Sequence, residues 1–141
     1  MAIVIRQFSF SDAYEAVINL WSKAGEGIHL GPSDDPEEIK KKSDFDPGLF
    51  LVAEKDEGIV GSAIGGFDGR RGLIYHLAVA KEERTSGLGS LMMQEVERRL
   101  GERGCIRAYL LVTNDNVNAI DFYAKRGWSQ MDLLILAKNL S

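Results

Sequence analysis

The sequence predicts an α/β protein, α+β in arrangement, with the element order β-α-α-β-β-β-α-β-α-β. Three observations predict it. Apolar runs at 49–53, 59–67 and 75–80 follow one another across short turns, as consecutive antiparallel strands do. The third run leads through Arg84-Thr85-Ser86-Gly87-Leu88-Gly89 into a helix with Leu88, Leu91, Met92, Val96 and Leu100 at helical spacing. A second helix, 117–125, then precedes a last apolar stretch at 128–136.

Taken in order, residues 2–8 form a first strand, with Ile3 and Ile5 on one side and Val4 and Arg6 on the other. Ser11 or Asp12 caps a helix with Ala13, Ala16, Val17, Leu20 and Trp21 on its apolar face, ended by Gly25 and Gly27. Residues 26–46 are polar, mostly acidic and irregular. A short helix starts there at Pro36, with Asp35 as its cap and Glu37 and Glu38 in its first turn. Too little chain precedes this segment to form a core of its own, so it reads as a loop-helix-loop bordering a binding site.

Lys55-Asp56-Glu57-Gly58 turns 49–53 into 59–67 as a hairpin, and Asp68-Gly69-Arg70-Arg71-Gly72 makes the next turn. In the strand that follows, Tyr75, Leu77 and Val79 alternate with His76, Ala78 and Ala80. Gly104 ends the long helix, 106–112 is an aliphatic strand, and Asn114-Asp115-Asn116 turns into the helix closed by Gly127. The last strand, 128–136, is polar at Ser129, Gln130 and Asp132 before four apolar residues. The chain carries no internal repeat.

At 141 residues the chain is a single-domain prospect over 1–141, able to bury roughly 70% of its unfolded surface. A net charge of −4, with Lys40-Lys41-Lys42 flanked by acidic residues, argues against nucleic acid as a partner. No apolar run approaches the ~18 residues of a membrane span. The amino terminus lacks a basic leader, and the single cysteine, Cys105, cannot form an internal disulfide. A cytoplasmic location is the simplest expectation. A homodimer is left open.

The glycine turn carries the chemistry. Between a strand's end and a helix's start, free N–H groups and the positive helix end converge, which is a phosphate-binding arrangement. Gly87 and Gly89 let an anion approach the backbone, and Ser90 adds a hydroxyl. A dinucleotide fingerprint would need a glycine at Met92, and a P-loop would need Gly-Lys-Ser/Thr; neither is present.

The pattern R-x-x-G-x-G after L-x-V resembles the acetyl-CoA-binding motif of the Gcn5-related N-acetyltransferases, the GNAT family. A second signature, Asn116-x-x-Ala119-x-x-x-Tyr123-x-x-x-Gly127-Trp128, is similar to that family's N-x-x-A-x-x-x-Y-x-x-x-G-F/W, and the resemblance extends over essentially the whole chain. Gly65-Gly66-Phe67-Asp68-Gly69-Arg70-Arg71-Gly72 with Asp35-Pro36-Glu37 further resembles the small bacterial YpeA-like branch. The resemblance implies a mixed, mostly antiparallel central sheet of six or seven strands with about four helices on its faces. It implies acetyl-CoA as co-substrate, no metal, and acetyl transfer to a primary amine on a small molecule or peptide N-terminus by direct attack in a ternary complex.

The same resemblance assigns Leu77, Ala78 and Val79 to the pantetheine arm and thioester through their backbone. Arg84, Thr85, Ser86, Gly87, Leu88, Gly89 and Ser90 fall to the pyrophosphate, and Asn116 to the cofactor's amide portion. Tyr123 matches the general-acid position, since a phenol is protonated at neutral pH and can donate to a departing thiolate. The base is less determined. Some relatives carry a glutamate where this chain has Leu111. His76, of the side-chain type most used as a base, lies beside Leu77 with its side chain on the opposite face. Glu26, His29, Asp35 and Glu37 are alternative bases and acceptor-side candidates, and Glu26, Asp34, Asp35, Glu37 and Glu38 form an acidic rim suited to a protonated amine. A non-catalytic acyl-CoA-sensing module on the same fold stays open beside the enzyme.

Overall fold

The computed structural model describes residues 2–24, 28–56 and 58–141. The chain runs β1 (Val4–Gln7), α1 (Phe10–Ser22), α2 (Pro36–Phe45), β2 (Phe50–Lys55), β3 (Gly58–Phe67), β4 (Gly72–Val79), α3 (Leu88–Glu102), β5 (Ala108–Leu110) and α4 (Val117–Ala124). The five strands form one sheet in the order β1-β2-β3-β4-β5. All neighbours are antiparallel except β4 and β5, which run parallel across α3.

β2 is the middle of the core. Phe50, Leu51, Val52 and Ala53 are all fully buried, so both faces of the sheet are covered. On one face, Phe50, Val52, Ile64 and Ala78 pack with Val17, Leu20 and Trp21 of α1 and Ile39 of α2. On the other, Leu49, Leu51, Ala53, Ala63 and Ile74 pack with Leu88, Met92, Met93, Val96 and Leu100 of α3. The buried positions of α1 recur at helical spacing and draw its apolar stripe onto the sheet.

Gly65 lets α3 approach closely. A Cβ there would stand 2.8 Å from Val96 Cγ2, inside the ordinary contact distance. Gly65→Ala should therefore destabilise by about 1–3 kcal/mol, as overpacking does, read as a lower denaturant midpoint at unchanged m-value.

The expected six or seven strands are corrected to five, because 128–136 forms no strand. The residues at 133–136 are apolar yet stand in solvent, with Leu134 88% and Leu136 90% exposed. Apolar composition favours extended backbone, but a strand also needs a partner for its ladder bonds, and among the described residues none is hydrogen-bonded to this segment as a strand. β5 is likewise shorter than the expected 106–112. The first helix ends at Ser22, and its expected stops Gly25 and Gly27 lie outside the described residues.

Candidate active site

β4 and β5 pair only as Gly72↔Ala108, Leu73↔Tyr109 and Ile74↔Leu110. β4 continues to Val79, so, among the described residues, 75–79 have no strand on that side, a bare edge of about 16 Å at ~3.3 Å per residue. Backbone groups there that point away from β3, the Val79 carbonyl excepted, are open to an extended ligand laid along the edge. Leu77, Ala78 and Val79 all lie on it.

Halfway along, β4 carries a bulge. Its register with β3 passes from Ser62↔Ala78 to Ile64↔Tyr75, one residue longer on β4. His76 takes up the extra length with a φ of 51°, left-handed backbone that a non-glycine residue rarely adopts. The bulge also resets the faces. Ile74 packs under α3, whereas Ala78, four residues on, packs under α1. A buried chain holds the bulge: Trp21 Nε1 donates to Ser62 Oγ at 2.8 Å, and Ser62 Oγ donates to the His76 carbonyl at 2.9 Å.

The bare edge leads to the start of α3. Gly87 caps that helix in left-handed backbone, φ 85°, and no protein acceptor takes the N–H groups of Gly87, Leu88, Gly89 or Ser90 among the described residues. These converging donors suit a pyrophosphate. The preceding turn is held by Ser86, whose N–H and hydroxyl both donate to the Glu83 carbonyl. Arg84 turns back, its Nε donating to the Val79 carbonyl at 3.1 Å and tying the loop to the strand's end. Thr85 is exposed in the same turn.

Arg126, which sequence reasoning passed over, places its guanidinium 3.6 Å from the centre of the Phe122 ring and donates to Ser90 Oγ from Nε and Nη2. It adds a cation beside the loop. Its spacing of 36 residues from Ser90 offers no signal in the sequence. Thr113 Oγ1, three residues past β5, is a buried side-chain oxygen without a protein partner.

Tyr123 packs on the same apolar cluster as Leu77, Val79 and Leu110, which belong to the strands flanking the gap. Burial pushes its hydroxyl up to about 12, so the phenol holds its proton throughout the physiological range. Asn116 caps α4, its Oδ1 accepting from the Ala119 N–H at 3.3 Å.

On the opposite side of the sheet edge, Ile28, His29, Leu73, Tyr75, His76 and Leu111 line an open groove of about 330 Å³. His76 Nε2 lies 2.8 Å from Asp34 Oδ1. Asp34, only 6% exposed, was read from the sequence as part of the acidic rim and not as the partner of His76, because 42 residues separate the two. Of the acceptor-side candidates, His29 is in the groove wall, Asp35 and Glu37 are exposed around the start of α2, and Glu26 lies outside the described residues.

The orphan N–H groups and the bare edge fit an acetyl-CoA whose phosphates meet the helix and whose arm follows β4. Known proteins match this architecture. Residues 14–128 match the Acetyltransferase (GNAT) family. The chain is 41% identical over 130 residues to an acetyltransferase of Pectobacterium atrosepticum, covering 92% of this chain and 90% of that one. It is 40% identical to an acetyltransferase of Yersinia enterocolitica over 96% of this chain and 94% of that one. The crystal structure of Ard1 from Thermoplasma volcanium superposes with a TM-score of 0.81 at 26% identity, over 94% of this chain and 86% of that one. PaiA N-acetyltransferase from Thermoplasma acidophilum, solved with coenzyme A, shares the fold with a TM-score of 0.82 at 21% identity, over 94% and 93%. The chain belongs to the GNAT family of acetyltransferases, which use acetyl-CoA.

Proposed function

We propose that the protein moves an acetyl group from acetyl-CoA to a primary amine by direct attack, with both substrates bound together. The observation that carries this reading is the continuous path from the unpaired edge at 75–79 to the orphan N–H groups at 87–90, with Tyr123 beside it. Acetyl-CoA supplies a thioester-activated acetyl group. The N–H groups of Gly87, Leu88, Gly89 and Ser90 hold its pyrophosphate, with Arg126 and Arg84 as nearby cations. The backbone of Leu77, Ala78 and Val79 along that edge aligns the arm, and a backbone N–H there draws charge onto the thioester oxygen. Asn116 keeps its side-chain NH2 for the cofactor's amide portion while its oxygen caps α4. Tyr123 donates toward the departing sulfur, and His76, across the edge in the groove, takes the amine's proton. The amine enters through the groove past His29, with Asp35 and Glu37 on the approach.

Calorimetric titration with acetyl-CoA and a thiol-release assay over alkyl amines, polyamines, amino acids and peptide N-termini test the reading. Micromolar binding with turnover of at least one amine is expected. Tight binding without turnover of any amine would favour a sensing module, as Leu111 in place of a glutamate suggests.

A further inference from the structure

The structure holds a pair that the family resemblance does not supply. Asp34 sits in a single-turn 3-10 segment, Pro32–Asp34, with both carboxylate oxygens occupied. Oδ2 accepts the Gly31 N–H at 3.0 Å and Oδ1 faces His76 Nε2 at 2.8 Å. Tyr14 of α1 donates its hydroxyl to the Asp34 carbonyl at 2.9 Å, fixing the turn against the helix. Around the imidazole, Trp21 stands edge-on with ring centres 4.6 Å apart, and Tyr75 does the same at 5.4 Å. The left-handed φ of His76 is strained, and backbone in this state persists where surrounding contacts over-determine it.

A carboxylate only accepts, so Nε2 is the nitrogen that carries hydrogen, and Nδ1 of the neutral ring keeps its lone pair. Among the described residues Nδ1 has no hydrogen-bond partner, and His76 is in the wall of the groove. No carboxylate, lysine or arginine among the described residues lines that wall. It is made of Ile28, Leu73, Tyr75 and Leu111 with His29. Burial, helped by the Asp34 charge, raises the Tyr75 hydroxyl above its ordinary value, so Tyr75 is a neutral surface there.

Building on the acetyl-transfer reading, we propose that Asp34 is a positioning residue which locks His76 in the Nε2–H tautomer, presenting Nδ1 as the base for a protonated alkyl amine whose carbon chain lies on the groove's apolar wall. One proton of the ammonium passes to Nδ1. The freed nitrogen lone pair forms the bond to the acetyl carbon, the carbon–sulfur bond breaks, and sulfur takes the Tyr123 proton. The nitrogen's second proton restores the phenol through solvent, and His76 releases its own to bulk, one net proton per turnover.

Two measurements test the pair. The first needs no cofactor: nitrogen-15 NMR of the imidazole in the free protein should show Nε2–H for the wild type and lose that preference in Asp34→Asn. A wild-type Nδ1–H tautomer would overturn the proposal. The second compares an accepted alkyl amine with its β,β,β-trifluorinated counterpart, as ethylamine with 2,2,2-trifluoroethylamine, whose nitrogen is largely unprotonated at neutral pH. Asp34→Asn should lower kcat for the alkyl amine ~10²-fold, the lower end of general-base effects, and for the fluorinated amine only a few-fold. The KM for acetyl-CoA should hold. Equal losses on both amines would refute the base role, and His76→Gln gives the same comparison should Asp34→Asn fail to fold. A wild type that acetylates no amine would refute the transfer reading, while the tautomer would still judge the pair.

Discussion

Gly89→Asp is expected to weaken acetyl-CoA binding about 100-fold, as measured by calorimetry on the folded variant. Two effects add. Gly89 N–H is one of the orphan donors at the start of α3, so the new carboxylate stands where phosphate charge gathers. Unit charges about 6 Å apart at an effective dielectric near 20 repel by about 3 kcal/mol, which is ~100-fold in affinity. The added Cβ also meets the Phe122 ring, at 3.1 Å from Cζ and 3.3 Å from Cε1. Gly89→Ala separates the terms: Phe122 shifts by a few tenths of an ångström, no charge enters, and affinity should fall less than about tenfold. A Gly89→Asp protein that folds and binds acetyl-CoA normally would show that the phosphates do not sit at this helix.

Tyr123→Phe should reduce turnover about 100-fold with acetyl-CoA affinity and melting temperature nearly unchanged. General acids contribute ~10²–10⁴-fold, and the lower figure applies for a stated reason. Burial holds the phenol proton with a pKa of about 12, tighter than a thiolate at ~8.5 would claim it. Complete transfer is uphill, so the hydroxyl acts by hydrogen bonding to sulfur and yields its proton only as the carbon–sulfur bond gives way. Removing one oxygen leaves the ring against Phe122, its centre 5.2 Å away, so packing is retained. Steady-state kinetics at saturating acetyl-CoA with a single accepted amine read the effect. Unchanged turnover would assign Tyr123 to packing alone.

The glycine turn at the start of α3 was legible because its information is local. Arg84 to Gly89 spans six residues, the helix that follows repeats its apolar positions every turn, and Gly87 takes the left-handed backbone that a glycine accepts without strain. The same is true of the antiparallel order β2-β3-β4, where short turns leave no other pairing. Tyr123 was readable as a position in a motif, and its burial was not. The last strand failed for the opposite reason: residues 133–136 have strand composition, and whether a neighbour accepts their backbone bonds is a property of the packed sheet.

By itself the sequence determined the element order, the glycine turn at the start of α3 and the family signatures, all of which act over a few residues or one helical period. Only the tertiary structure decided where β4 and β5 part, that His76 absorbs a bulge, and that Asp34 reaches it from a turn 42 residues earlier. Those features depend on which chain segments lie side by side once α1, α2 and α3 cover the sheet. A hydrogen bond of 2.8 Å between residues so distant in the chain is created by that packing, and no local propensity or spacing encodes it.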